Sequence, residues 1–184
     1  MRQLIMVAAV ILSACGADPL DVPPAAPNVS LLRNPTANIG SQADVVADDL
    51  AGVWSLRQAV AGVWPVVQTR LQFAAQGPDL VLVADGVVCA QAGACPNGTR
   101  PILYREGLAG RFRAAGPVPD NVPSEIWVYW MDFDDRTMAI GNPNGDFVAI
   151  LDRMETGGGD RITAAREILD WYGYDLTRLV QVRP

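Results

Sequence analysis

The chain has 184 residues and is acidic, with 20 carboxylate side chains against 14 basic ones, all of them arginine, for a net charge of −6. No basic stripe is available to release counterions from a phosphate backbone, so nucleic-acid binding is not expected. The absence of histidine removes the Ser-His-Asp triad, the Cys-His dyad and every histidine-ligated metal site, so neither enzyme activity nor a cofactor or metal centre is expected.

Residues 4–18 read LIMVAAVILSACGAD. The apolar run spans about ten residues, whereas a helix crossing a ~30 Å hydrocarbon core takes about 20. A basic start at Arg2, a short apolar middle and small residues at the end are the parts of a secretory signal peptide, expected here over residues 1–14. Leu12-Ser13-Ala14-Cys15 resembles the lipobox of bacterial lipoproteins, in which the signal is removed and the new N-terminal cysteine is acylated. An ordinary signal peptide with an incidental Cys15 is the alternative. At ~0.8 kcal/mol per buried CH₂, two or three acyl chains would anchor the protein to a membrane. Gly16 stands where an aspartate would mark inner-membrane retention in enterobacteria, so the expected location is the periplasmic face of the outer membrane.

Residues 15–44 contain Pro19, Pro23, Pro24, Pro27 and Pro35 among small residues, a composition that favours extended backbone and reads as a tether. Residues 45–184 form the expected domain. With Cys15 acylated, Cys89 and Cys95 remain as a pair, and in an oxidising compartment a structural disulfide between them is expected. After Asp49 the sequence breaks into short, alternating runs separated by glycine and proline, with strands expected at 53–60, 66–75, 80–89, 101–105, 110–115, 125–132, 137–141 and 147–153. Gln68, Arg70 and Gln72 alternate with Thr69, Leu71 and Phe73, the period-2 pattern of a sheet with one solvated face. Eight such strands imply an all-β up-and-down barrel or a sandwich. A helix follows Gly157-Gly158-Gly159, with Asp160 or Thr163 as N-cap, one apolar face at Ile162, Ala165, Leu169 and Tyr172, and a stop at Gly173. A last short strand is expected at 179–182.

Three stretches share one resemblance: Gly52-Val53-Trp54, DFDDRTMAIGNPNGDFVAILDR from Asp132 to Arg153, and GYDLTRLVQVRP at the C-terminus. Together they resemble the bacterial lipocalins, although Ser55-Leu56 and Asp135 depart from that pattern. The resemblance implies an eight-stranded antiparallel barrel closed at one end, with a helix packed outside and a cavity for fatty acids or lysophospholipids. It also implies a structural base formed by Gly52, Trp54, Asp132 and Arg153, with the Arg153 guanidinium lying over the Trp54 indole. Such stacking contributes ~0.5–2 kcal/mol.

In an up-and-down barrel the connections alternate between the two ends. Trp64-Pro65, the 89–95 loop, 117–123 and 142–145 fall at the mouth, and 132–135 at the base. One strand parity directs Leu71, Phe73, Phe112, Ile126, Val128, Trp130, Phe147 and Ala149 toward the ligand. A shift of one residue exchanges Trp130 for Trp127 and Tyr129. The side chains filling the barrel completely is the alternative. Asp132, Asp134 and Asp135 lack the glycine-centred loop and distal glutamate of a calcium loop and read as a solvated turn. The expected function is binding, storage or carriage of a fatty acid or lysophospholipid by a lipid-anchored protein. Oligomeric state is not legible.

Overall fold

Alternation of apolar and polar residues, punctuated by tight turns, produces nine antiparallel strands in the computed structural model, which describes residues 32–60, 70–84, 101–119 and 122–182. They are β1 (Gly52–Val60), β2 (Arg70–Gln76), β3 (Asp79–Ala84), β4 (Ile102–Glu106), β5 (Arg111–Ala114), β6 (Glu125–Met131), β7 (Thr137–Gly141), β8 (Val148–Asp152) and β9 (Leu179–Gln181). Strands β2 to β8 each pair with the next, and β8 pairs with β1. The ring closes where β1 also pairs with β2, from Gly52 opposite Phe73 to Ser55 opposite Arg70. Strand β9 bonds to the end of β1, Gln58 opposite Gln181, outside this ring. The result is a closed eight-stranded antiparallel barrel, and closure leaves no edge within the ring to template aggregation.

The two-residue period sorts side chains between two cores. Leu71, Phe73, Leu80, Leu82, Tyr104, Phe112, Ile126, Val128, Met138, Ile140, Ala149 and Leu151 fill the barrel interior. Tyr129, Ala139, Val148 and Ile150 face outward and are covered by Ile162, Ala165 and Leu169 of the helix α2 (Gly159–Trp171). Strands β7 and β8 are therefore buried at every position, although each lies in an antiparallel sheet. Two bulges interrupt the alternation, between Leu56 and Gln58 in β1 and between Val128 and Trp130 in β6.

The N-cap of α2 is Gly158, not Asp160 or Thr163. Its φ is +67°, and a Cβ there would stand 2.5 Å from Arg161 Nη2 and 2.9 Å from Asp152 Oδ2, which glycine alone avoids. Asp160 lies instead in the first turn, where its charge complements the helix dipole. The apolar face falls as its spacing predicts, and Gly173, at φ +83°, follows the last turn.

Residues 32–44 are not a tether. Leu32 is buried, Arg33 bridges Tyr174, the Gln42 amide donates to the Val128 carbonyl at 2.8 Å, and Gln42 Oε1 accepts the Met131 amide at 2.6 Å. The segment runs along the outer wall and turns beneath the barrel in a one-turn helix, α1 (Ala47–Leu50). Composition misplaced this boundary because Pro35 and its small neighbours look the same in a tether as in a strap packed on a sheet.

Candidate functional site

The closed end is assembled around Trp54, which is fully buried and donates from Nε1 to the Leu50 carbonyl at 2.7 Å. The guanidinium carbon of Arg153 sits 3.7 Å from the indole centroid. Its donors reach the Ala51 carbonyl at 2.8 Å, Asp49 at 2.9 Å, Asp135 at 3.2 Å and Val53 at 3.4 Å. One side chain thus ties α1, the start of β1 and the β6–β7 turn, and satisfies carbonyls that no ladder could. Burial lowers the Arg153 pKa, which the planar, strongly basic guanidinium tolerates without losing its charge. Gly52 is required here, since its φ is +106° and a Cβ would lie 2.9 Å from Arg153 Nη1.

Asp132 shapes the turn below. Its carboxylate accepts the amides of Arg136, at 2.8 Å, and of Thr137. The turn is bonded internally, and no group of three or more metal-ligating side chains occurs among the described residues. Asp135 stands at φ +53° with its pKa raised by desolvation, then by the Asp49 and Asp132 charges. Val45, Ala47 and Leu50 complete the floor from inside. Sequence reading missed this plug. Its one local signal is Asp49 at the third helical position, whose carboxylate accepts the Val46 amide at 2.9 Å.

Of the side chains assigned to the cavity, Leu71, Phe73, Phe112, Ile126, Val128, Phe147 and Ala149 converge in the interior, each no more than 1% exposed. Trp130 does not. It faces outward and packs, partly buried, with the cluster under α2. The bulge in β6 is the cause: Val128 pairs with Ile140 and Trp130 with Ala139, so two steps on β6 match one on β7 and the parity inverts. Trp127 and Tyr129 are also outward, and Met131 takes the interior position. Interior residues of β3, β4 and β7, such as Leu80, Tyr104 and Ile140, were not singled out, though the same period-2 reading would have found them.

The barrel interior is apolar and closely packed through its lower part. Tyr104, fully buried, donates from its hydroxyl to the Pro123 carbonyl at 2.6 Å and fastens the β5–β6 connection over the barrel top. Burial pushes its pKa well above the ordinary phenol value. Above it, a cleft of about 300 Å³ opens at the rim, lined by Val118, Pro119, Val122, Pro123 and Phe147 with Ser124 and Asp146. Its lining mixes the apolar side chains of Val118, Val122 and Phe147 with polar surface, and the polar share is the larger. Cys15, the Cys89–Cys95 pair and Trp64 lie outside the described residues.

No protein-family model matches the sequence, and no curated protein does. Among solved structures, the cockroach major allergen Per a 4 superposes with a TM-score of 0.55 at 10% identity, over 82% of this chain and 96% of that one. Apocrustacyanin C1 gives 0.53 at 13% identity over 80% and 89%. Lobster apocrustacyanin A1 gives 0.51 at 14% identity over 74% and 78%. These neighbours are lipocalin-family proteins, and what this chain shares with them, on its closed barrel, outer helix and final strand, is the lipocalin fold.

Proposed function

We propose that the protein is an envelope lipoprotein, acylated at Cys15 on the periplasmic face of the outer membrane, that binds and stores or carries a single-chain lipid such as a fatty acid or lysophospholipid. It is a binding module and not an enzyme. The observation that carries this reading is a barrel sealed at one end by the Trp54–Arg153 stack and apolar within, with a cleft beside Val118, Val122 and Phe147 at the opposite end. The lipocalin fold and the lipobox-like Leu12–Cys15 sequence support it. Each methylene moved from water into such a site contributes ~0.8 kcal/mol, a gross ~10 kcal/mol for a long acyl chain against several kcal/mol of immobilisation, hence micromolar affinity.

A second reading, an anchored scaffold without a ligand, draws on the packing of Leu71, Phe112, Ile126, Val128, Met138 and Ile140, all fully buried in the interior. Native mass spectrometry of residues 32–184, together with displacement of a fluorescent fatty acid, separates the two. A co-purifying lipid or micromolar displacement supports the binder, and neither leaves the scaffold. Phase partitioning of the full chain and of Cys15→Ser tests the anchor independently.

A further inference from the structure

The described residues begin at the rim opposite the closed end. Arg33 bridges Tyr174 and packs so closely on Gly145 that a Cβ on that glycine would stand 2.6 Å from Arg33 Cβ. Gly145 belongs to the 142–147 connection from β7 to β8, at the end of the barrel opposite the β6–β7 turn that touches Arg153. From Arg33 the segment descends the wall. Ser41 Oγ donates to the Ala109 carbonyl at 3.0 Å, the Gly110 amide donates to the Val45 carbonyl at 2.9 Å, and α1 closes the floor. The described residues therefore begin, at Leu32, at the mouth.

Sixteen residues, 16–31, separate Leu32 from Cys15. A flexible chain of that length has a root-mean-square span of about 22 Å, comparable with the height of the barrel, ~20 Å for tilted strands of this length. With the mouth toward the anchor the chain is relaxed. With the closed end toward it, the same residues must also reach around the full barrel and extend well beyond their mean span.

Charge does not oppose this orientation. The closed end exposes Asp48, Asp134, Asp135 and Glu155, of which Asp134 and Glu155 pair with Arg136 and Arg70, and the rim side exposes Asp146, to which Asn142 donates, and Asp175. An anionic lipid surface repels carboxylates within a Debye length of about 8–10 Å. Phe133 is fully exposed at the closed end and Leu108 is 65% exposed, yet burying Phe133 in a bilayer would carry Asp134 and Asp135 into the headgroups with it.

We propose, resting on the anchored reading above, that the rim opposite the Trp54–Arg153 stack is the face held against an anionic phospholipid surface, with the closed end turned away. The cleft at Val118, Val122 and Pro123 then meets the bilayer, and a single-chain lipid passes between membrane and barrel with little exposure to water.

The acylated full-length chain, carrying a coumarin amino acid in place of either exposed Asn144 at the rim or exposed Asp134 at the base, is bound to phosphatidylethanolamine–phosphatidylglycerol vesicles containing a headgroup-labelled acceptor lipid. The expected result is energy transfer about twofold higher from position 144 than from position 134, given the ~20 Å barrel height. Flotation with the vesicles but equal transfer from both positions, or greater transfer from 134, overturns the orientation alone. Failure of the full-length chain to float overturns the anchor and this proposal with it.

Discussion

Arg161 of α2 donates from Nη2 to the fully buried carboxylate of Asp152 in β8 at 2.9 Å. Through Nε it also donates to Thr137 Oγ1 at 2.7 Å, and that hydroxyl donates to the same carboxylate at 2.6 Å. The Met154 amide supplies the remaining bond at 2.7 Å. This cluster locks the first turn of α2 to the barrel at its closed end. The helix then positions the outer core that carries Tyr174 to the rim.

Removing the cation leaves a buried charge. Arg161→Met is expected to lower the unfolding free energy by about 3 kcal/mol, and Arg161→Met combined with Asp152→Asn to recover part of that loss. Urea denaturation of the single and double variants measures both. Full additivity of the two single losses would show that the pair acts independently.

The stack on Trp54 depends on the shape of Arg153 as well as its charge. Arg153→Lys keeps the charge but cannot span the carbonyls of Asp49, Ala51 and Asp135, so a loss of about 1–2 kcal/mol is expected, and more for Arg153→Ala. Gly52→Ala is expected to cost about 1–3 kcal/mol through its positive φ and the crowding of Nη1. Denaturation midpoints followed by tryptophan fluorescence check all three. An Arg153→Lys midpoint equal to the parent's would remove the account by guanidinium shape.

Alkali should unfold the protein through its buried phenols. Burial pushes Tyr174 up to about 12 and raises Tyr104 and Tyr129 as well, with the Tyr129–Tyr174 hydroxyl contact at 2.7 Å adding to the shift of Tyr129. The native state therefore keeps protons that the unfolded chain loses near pH 10, and unfolding becomes easier as pH rises. Stability is expected to be unaffected by these groups below pH 10 and to fall between pH 10 and 12 by about 1.4 kcal/mol per unit for each tyrosine still protonated. Tyrosinate absorbance and urea midpoints across that range should move together.

The inversion at the β6 bulge separates two aromatic residues by role. Phe147 lies in the interior and lines the rim cleft, whereas Trp130 packs outside. Phe147→Ala is expected to weaken fluorescent fatty-acid binding by about tenfold, the equivalent of ~1.4 kcal/mol. Trp130→Ala should leave the dissociation constant unchanged while lowering stability. A large loss of binding in Trp130→Ala would place the ligand elsewhere.

Local chemistry carries most of the barrel. Val53, Leu71, Phe73 and the residues of β7 announce their strands by alternation and branched or aromatic side chains, and Gly52, Trp54 and Arg153 mark the floor by family resemblance. What the sequence alone determined is thus where strands lie and which helix face is apolar, whereas closure into a barrel, implied by the resemblance, is decided by the pairing of β1 with both β2 and β8. The tertiary structure decided the rest. Whether Trp130 or Met131 points inward depends on how many residues of β6 match those of β7, a count that exists only once the two strands pair. Whether residues 32–44 are a tether or a strap depends on the carbonyls of Val128 and Ala109 and the amide of Met131, which are distant in sequence, because a short polar segment gains its order from the surface that receives it.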